Sequence, residues 1–418
     1  MAPGEERLRF ASAVNAFAGL GVYALSAITG PLLARSLGPV GRGDYAAVVV
    51  PTEMVGWLLA FGMPLAAVYY ARDHDDRSLV MGSWAVAMGV GGLLAVITWE
   101  FIPSYLHGHA HLTVPWFRAF LLMAIPFAPV YTAASLLMAR GKVVAFNVLR
   151  QLSLVLNTVF LVALAVAGRL TLTNALASAL AGDAIAYVAT MWYVRAWPGP
   201  GFSRAVTRMQ VRYAARVAPG SLSNLLVARL DQFVLVGAVS SRNLAMYAVA
   251  VTGAGVSSPV SAGIAQALLP HLRTIDGRSD RAAHSARAIK WTFLASSCIA
   301  GCLALGAPIG IPLLFGRSFA GAVPLLWVLL PGQVANDVAS VLASRLQADG
   351  RPGAASQGLL VAVIVTVIGL AIAVRPFGTG GAAVVTVLSQ FAYLGWVANK
   401  ARRRGRHVIG AAALARTG

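Results

Sequence analysis

The sequence predicts an all-α integral membrane protein with about twelve transmembrane helices in two six-helix bundles. Hydrophobic residues make up 58% of the 418 residues, and charged residues make up only 11%. Soluble domains carry roughly 25% charged residues, so this chain has too few to cover a surface in water. The mean hydropathy of +0.74 agrees with that composition. The third observation is a series of apolar runs, each long enough to cross a bilayer.

The transmembrane helices are predicted from the length of these apolar runs. A crossing needs about 20 residues, because roughly 30 Å of hydrocarbon are climbed at about 1.5 Å per residue. The first run is predicted to be a span and not a cleavable signal peptide, because it is too long and lacks a small-residue cleavage site. In chain order, the predicted spans are residues 12–34, 46–70, 79–101, 117–139, 146–167, 172–194, 216–239, 246–270, 290–314, 322–345, 355–375 and 380–399.

The basic residues predict the orientation of the spans. The sequence has 33 Lys and Arg against 14 Asp and Glu, a formal net charge of +19. With the N-terminus in the cytoplasm, 25 of the 33 basic residues fall in cytoplasmic loops and tails, and 7 fall on the outer side. Cytoplasmic loops of membrane proteins carry this excess, so both termini are predicted to be cytoplasmic. Because the basic residues lie between apolar runs, no nucleic-acid partner is expected.

An internal duplication is predicted from two correspondences between the halves of the chain. Tyr45 follows the first span and Tyr247 follows the seventh, while Gly141 and Gly350 follow the fourth and the tenth. Six spans in each half make the halves parallel repeats, a common arrangement in transporters. The predicted domains are an N-terminal bundle of residues 1–194, a basic cytoplasmic connector of residues 195–215, a C-terminal bundle of residues 216–399 and a basic cytoplasmic tail of residues 400–418. The connector is predicted to be a basic helix at the membrane surface or a solvated loop.

Five ionisable residues lie well away from the ends of the predicted spans, where each costs about 2.5–3.5 kcal/mol on insertion scales. They are Glu53, Asp183, Arg229, Asp231 and Asp337. Such residues predict a functional site by default, although buried pairs and hydrogen bonds between helices are an equal alternative. Arg229 and Asp231 are two residues apart and point to different faces of one helix, so they cannot pair directly. With the Asn and Gln residues of the same spans, these groups indicate a hydrated interior between the halves.

Motifs for nucleotide or metal chemistry are weak in this sequence. Residues 73–76 (DHDD) and residues 107–111 (HGHAH) are both predicted to be exposed polar loops. The phosphate-loop and dinucleotide-binding signatures are absent, and two cysteines alone make no metal site. We therefore predict no catalytic residue, no metal and no cofactor, and we expect that the protein is not an enzyme.

Several short motifs resemble one family of transporters. They are residues 37–45 (LGPVGRGDY) after the first span, residues 229–233 (RLDQF) in the seventh, residues 314–316 (LFG) with Phe319 and Ala322 before the tenth, and residues 348–351 (ADGR) after it. Together they resemble the polysaccharide flippases, of the O-antigen type, in the multidrug/oligosaccharidyl-lipid/polysaccharide (MOP) exporter superfamily. The resemblance spans nearly the whole chain. The predicted spans do not include the two extra helices usual in the related peptidoglycan-precursor flippases.

This resemblance implies a V-shaped transporter in which two bundles enclose a central cavity. Such a protein flips a polyprenyl-diphosphate-linked oligosaccharide across the bacterial cytoplasmic membrane for cell-surface polysaccharide biosynthesis. Alternating access coupled to a proton or sodium gradient is expected. Besides the cargo and the membrane lipids, a polysaccharide polymerase or a glycosyltransferase is the expected kind of partner.

The resemblance also suggests roles for the charged residues. Guanidinium forks match phosphate oxygens, so Arg229 is the first candidate for contact with the diphosphate. Arginines near helix ends are weaker candidates, namely Arg35, Arg118 and Arg150. The coupling ion is expected on an acid within a span, namely Asp231, Asp183, Asp337 or Glu53.

Two alternatives stay open at this point. A cation-coupled multidrug antiporter of the same superfamily has the same number of helices, and it would depend on the acidic residues. A membrane sugar polymerase or glycosyltransferase is the other alternative. Such enzymes usually carry a long catalytic outer loop, whereas the outer loops predicted here are short.

Overall fold

The computed structural model of the protein describes residues 3–273 and 278–414, with the side chains between 21 and 268 and between 280 and 402. The side chains of the predicted basic tail, residues 400–418, are described only as far as Arg402. Within the described ranges the chain forms helices joined by short turns and contains no β-strand. The helices are α1 (Pro3–Ala60), α2 (Met63–Tyr70), α3 (Asp76–Thr98), α4 (Ile102–Tyr105), α5 (Thr113–Ala139), α6 (Val143–Val166), α7 (Leu172–Val194), α8 (Arg204–Val236), α9 (Ser241–Ala254), α10 (Ser258–Arg273), α11 (Arg278–Phe315), α12 (Ala322–Ala348) and α13 (Pro352–Leu414).

The part of the chain that the structure describes contains nine helical segments long and apolar enough to cross a membrane. Two of them, Gly21–Tyr70 with 50 residues and Pro352–Arg402 with 51 residues, are about 75 Å long at the helical rise, enough for two crossings each. The backbone leaves helical geometry inside them at Gly38 and at Gly378. If each of these two long segments crosses twice, the nine segments make eleven crossings. Helix α8, whose arginines lower its hydropathy, is the twelfth, so the number agrees with the predicted twelve. The all-α transmembrane fold predicted from the sequence is confirmed.

The chain divides into two compact units. One unit comprises Met1–Val249 and Ile311–Gly321, and the other comprises Ala250–Gly310 and Ala322–Gly418. In this division α8 and the first part of α9 belong with the N-terminal helices. The bundle limits drawn from the sequence, residues 1–194 and 216–399, stay a prediction.

The predicted connector is partly absorbed into a long helix. Residues from Arg204 onward form the first turns of α8, and the Ser203 side chain accepts a hydrogen bond from the Val206 amide at 3.4 Å. This interaction is an N-cap, which satisfies an amide that has no partner within the helix. At 33 residues, α8 is about 50 Å long, some 20 Å more than one crossing needs.

The same kind of turn follows α5 and α12, which the predicted internal repeat pairs, but it also follows α6 at Gly168, so the repeat stays a prediction. After α5, the amide of Lys142 donates to the carbonyl of Leu137 at 2.8 Å. After α12, the amide of Arg351 donates to the carbonyl of Leu346 at 2.9 Å. Gly141 and Gly350 stand between these residues with φ angles of 74° and 75°. Both turns are Schellman motifs, in which glycine takes a left-handed conformation that other residues resist.

A buried polar network lies at the predicted outer end of the first unit. The His109 ring joins three segments of chain: its Nδ1 is 3.2 Å from Asp44 and 2.9 Å from the Ser241 hydroxyl, and its Nε2 donates to the carbonyl of Val236 at 2.9 Å. His107 and His111 are exposed, as predicted for this loop. The prediction of an exposed side chain was wrong for His109. Its ring is buried, and there it is a hydrogen-bond partner for the buried polar groups of Asp44 and Ser241.

The acidic loop before α3 serves the start of that helix. Asp75 accepts a hydrogen bond from the Ser78 amide at 3.3 Å, and Asp76 pairs with Arg140 at 2.7 Å. The hydrogen bond to Asp76 raises the pKa of the Arg140 guanidinium. Acids are favourable at the positive end of a helix dipole, so these residues need no metal to explain them.

Candidate functional site

Ionisable and polar side chains from four helices of the first unit lie within hydrogen-bonding or electrostatic range of one another. We call this set the polar cluster. Ser153 and Asn157 are one turn apart and therefore share a face of α6, and that face meets Asp183 of α7. The cluster comprises Tyr45, Glu53, Ser153, Asn157, Asp183 and Arg229.

Helices α6 and α7 supply the hydrogen-bonded wall of the cluster. The Ser153 hydroxyl donates a hydrogen bond to the Asp183 carboxylate, and the Ser178 hydroxyl donates one to the side-chain carbonyl of Asn157 at 3.0 Å. The two helices approach closely at Gly182, where a Cβ atom would lie 3.1 Å from the carbonyl oxygen of Ser153. Asp183 is therefore held by a hydroxyl donor while it remains partly accessible.

Tyr45 of α1 joins the same wall. The Asn157 amide donates to the Tyr45 hydroxyl at 3.5 Å, and the guanidinium carbon of Arg42 lies 5.7 Å from the Tyr45 ring centroid. A cation over an aromatic face is attracted by the quadrupole of the ring. The buried Tyr45 thus links the loop after the first span to α6.

Glu53 and Arg229 are the exposed members of the polar cluster. Glu53 lies within electrostatic range of Arg229, of Asp183 and of Tyr45. Two carboxylates at that range repel each other when both are ionised, and a bound proton or cation relieves the repulsion. The described part of the chain gives the Arg229 guanidinium no hydrogen-bond partner, so its donors are available to a ligand. The cluster can therefore accept a cation at its acids and an anion at its guanidinium.

Asp231 occupies a different environment from its neighbour Arg229. Its carboxylate is buried and accepts a hydrogen bond from the hydroxyl of Tyr247, which is also buried. Asp231 also accepts from the amide of Gln232 at 2.7 Å. These contacts fix the outer part of α8 against α9. The predicted role of Asp231 in ion coupling stays a prediction.

Asp337 is the ionisable centre of the second unit. Only 1% of its surface is exposed, and its two oxygens accept four side-chain hydrogen bonds. The donors are Ser257 at 2.6 Å, Ser261 at 2.9 Å, Ser296 at 2.8 Å and Gln333 at 2.9 Å. Four donors match the four lone-pair sites of a carboxylate, so the contacts satisfy both oxygens of Asp337 and join α10, α11 and α12.

Removing the Asp337 carboxylate is expected to destabilise the second unit strongly. Asp337→Ala leaves four buried donors without their acceptor, and breaking such a charged network costs roughly 3–5 kcal/mol. Denaturant unfolding of the protein in detergent micelles measures the effect. Ser344→Ala is the control on the same helix, because its hydroxyl bonds only to the preceding turn at 3.2 Å and its loss should cost less than about 1 kcal/mol. An Asp337→Ala protein as stable as the control would show that these hydrogen bonds do not hold the helices.

The other predicted arginines each have a local partner. Arg35 donates to the backbone carbonyls of Leu313 and Leu314 at the C-terminal end of α11, the negative end of that helix dipole. Arg118 donates to the carbonyl of Trp99 at 3.1 Å, and its guanidinium carbon is 4.4 Å from the centroid of the Trp99 ring. The structure does not place these two beside Arg229, and their predicted contact with cargo stays a prediction.

Arg150 lies on α6, on the cytoplasmic side in the predicted orientation. Its guanidinium carbon is 5.3 Å from the centroid of the Phe146 ring, one turn earlier, and its side chain is exposed. It shares α6 with Ser153 and Asn157 of the polar cluster. Its predicted contact with cargo also stays a prediction.

The sequence reasoning missed the hydroxyl and amide members of both polar centres. Ser153 and Asn157 were not singled out, although two polar residues one turn apart in an apolar span are a usable signal. The serines around Asp337 give a weaker signal, because serine is common at helix contacts in membranes. The described residues contain no group of three His, Cys, Asp or Glu side chains able to hold a metal ion.

The sequence profile of one family matches well over half of the chain. It is described as polysaccharide biosynthesis protein and matches residues 11–276. The chain belongs to this polysaccharide biosynthesis family. The matched range includes the residues of the polar cluster. No curated protein sequence matches the chain.

Solved structures similar to this family member show the same fold at low identity. A multidrug resistance MATE family transporter of the MOP superfamily, in an inward-facing conformation, is 15% identical with a TM-score of 0.72 over 92% of this chain and 94% of that one. The lipid II flippase MurJ, in an inward closed conformation, is 10% identical with a TM-score of 0.73 over 92% and 87%. A MOP superfamily transporter from Pyrococcus furiosus, described as having a binding pocket of reverse polarity, is 15% identical with a TM-score of 0.59 over 95% and 94%. The family member therefore has the fold of MOP superfamily transporters.

Proposed function

We propose that this protein flips a polyprenyl-diphosphate-linked oligosaccharide across the bacterial cytoplasmic membrane for cell-surface polysaccharide biosynthesis. Membership of the polysaccharide biosynthesis family and the MOP transporter fold support a flippase or transporter. The observation that carries the proposal is the exposed guanidinium of Arg229 within a predicted membrane span, beside Glu53 and without a hydrogen-bond partner in the described chain. A guanidinium left available in a span fits an anionic diphosphate, which it can contact with two parallel hydrogen bonds.

The coupling ion is assigned to the two acids that lie near this arginine. Glu53 and Asp183 are within electrostatic range of each other, and Glu53 is also in range of Arg229. Binding a proton or a sodium ion there strengthens the positive field that the cargo meets, and its release weakens that field. Cargo binding and ion binding are then linked through charge, as coupled transport requires. Asp337 is the second candidate, in the other unit, and Asp231 the third.

A drug antiporter of the same superfamily is the second candidate function, and one observation favours it. Two carboxylates against one guanidinium give the polar cluster an excess of acid when all are ionised. A cationic aromatic drug would be attracted to such a site. The family profile favours the polysaccharide branch, because it describes polysaccharide biosynthesis.

A ligand-stabilisation experiment separates the two functions. We expect a short-chain prenyl-diphosphate disaccharide to raise the melting temperature of the protein in detergent, because a ligand at a hundred times its Kd stabilises the folded state by about 2.7 kcal/mol. The matching prenyl monophosphate should stabilise it less, since one phosphate offers fewer acceptor oxygens. Stabilisation by a cationic dye, with none by the diphosphate, would favour the antiporter.

A further inference from the structure

A row of arginines on α8 forms a second basic site, away from Arg229. Arg208, Arg212 and Arg216 are spaced by four residues, so they lie above one another on one face of the helix, over about 12 Å. All three are exposed. They line a cleft of about 260 Å³ with Tyr70 and Tyr213, which we call the arginine cleft.

Helix stability does not explain this row of arginines. Like charges four residues apart destabilise a helix by about 0.2–0.5 kcal/mol per pair. In the described part of the chain none of the three has an acidic partner within ion-pair distance. An anion from outside the chain would offset all of these costs.

Two tyrosines form part of the wall of the arginine cleft. The ring of Tyr213 stacks on that of Tyr69 with centroids 4.5 Å apart, and it meets the ring of Tyr70 edge-on at 5.7 Å. Tyr213 thus occupies a fixed position between arginines on either side of it in the sequence. Guanidinium groups beside rigid rings suit a ligand with phosphate oxygens and a less polar portion.

The size of the arginine cleft and its predicted depth in the membrane restrict the kind of ligand further. Pockets that enclose a whole drug-sized ligand measure roughly 300–1,000 Å³, so a cleft of about 260 Å³ fits a headgroup and not an entire lipid-linked saccharide. In the predicted orientation the outer end of α8 is Val236, and a crossing of about 20 residues from there reaches Arg216. Arg216 then lies at the cytoplasmic headgroup level, with Arg212 and Arg208 successively further into the cytoplasm.

We propose that the arginine cleft binds the phosphate or diphosphate ester of a lipid in the cytoplasmic leaflet. Anionic phospholipids and the diphosphate cargo both present this chemistry at that depth. If the ligand is the cargo, the cleft is its first binding site, and this case rests on the function proposed above. If the ligand is a phospholipid, the site is independent of transport.

Native mass spectrometry of the purified full chain tests the proposal. The probes are phosphatidylglycerol, short-chain prenyl-diphosphate disaccharide and, as a neutral-headgroup control, phosphatidylcholine. The test variant is Arg208→Gln/Arg212→Gln/Arg216→Gln. The matched control, Arg72→Gln/Arg195→Gln/Arg287→Gln, removes the same charge from exposed arginines on the same predicted side that neither line the cleft nor lie on α8.

We expect the wild type and the control to retain one of the two anionic probes, and the test variant to bind it about tenfold more weakly or worse. Retention of phosphatidylglycerol identifies a phospholipid site, and retention of the diphosphate disaccharide identifies a cargo site. Equal retention by the two triple variants, or no retention by the wild type, overturns the proposal. Inorganic pyrophosphate should displace the bound probe from the wild type, which tests the site even if the triple variant does not fold. Lost cleft binding with unchanged Arg229-dependent flipping would leave the proposed function intact.

Discussion

Arg229→Ala is expected to slow the flipping of diphosphate-linked cargo strongly while leaving the protein folded. The side chain is exposed and makes no hydrogen bond within the described chain, so its removal creates no cavity and breaks no hydrogen bond, although Glu53 loses a nearby positive charge. A hydrogen bond to a charged group is worth about 1.5–3 kcal/mol, so losing the contact should slow transport by roughly ten- to a hundredfold or more. Sealed vesicles report the rate, with cargo exposure on the far leaflet scored by an enzyme that cannot cross the membrane.

Two further variants make the Arg229 experiment specific. Arg169→Ala removes an exposed arginine near the start of α7, outside the polar cluster, and should transport like the wild type. Arg229→Lys keeps the charge but loses the planar fork, so it should recover only part of the activity. If folded Arg229→Ala protein transports at the wild-type rate, this arginine has no part in cargo recognition.

Asp183→Asn is expected to uncouple transport from the ion gradient. Asparagine keeps the size of the side chain and can still accept the hydrogen bond from Ser153, but it cannot bind a proton or carry a negative charge. One elementary charge moved through 100 mV supplies about 2.3 kcal/mol, a factor of roughly 50 at equilibrium. The variant should lose this gradient-driven accumulation of cargo in the outer leaflet and keep slow exchange in both directions.

The coupling experiment has a control and an opposing outcome. Asp73→Asn removes an exposed carboxylate from the loop before α3 and should leave the gradient response unchanged. Glu53→Gln should resemble Asp183→Asn, because the two acids share one electrostatic site. A gradient response that survives in Asp183→Asn but is lost in Asp337→Asn would move the coupling ion to the second unit.

The transmembrane fold could be predicted because the bilayer limits the possible structures. Long apolar runs must be helices in hydrocarbon, since every backbone polar group needs a partner within its own segment. The N-terminal limit of α8 was less accessible, because a polar helix that continues beyond the membrane has no hydropathy signal at the boundary. His109 was misjudged for a related reason: a polar residue in a short loop is usually exposed, and only the tertiary contacts of Asp44 and Ser241 bury it.

The charged residues of the candidate site could be predicted from the sequence, but which of them lie near one another could not. The energetic cost of a charge in hydrocarbon singles out Glu53, Asp183 and Arg229 from the sequence alone. Sequence spacing fixes which residues share a helix face, and it carries no information about which helices are neighbours. It therefore gave no means of separating these three from Asp337, which lies in the other unit with four donors of its own.

Transport by the wild-type protein in sealed vesicles tests the central claim most directly. One preparation is given polyprenyl-diphosphate oligosaccharide and an ion gradient, and a parallel one is given a cationic dye and the same gradient. We predict protein-dependent exposure of the oligosaccharide on the far leaflet and no gradient-driven dye efflux. Dye efflux without oligosaccharide exposure would contradict the flippase function and identify the protein as a drug antiporter.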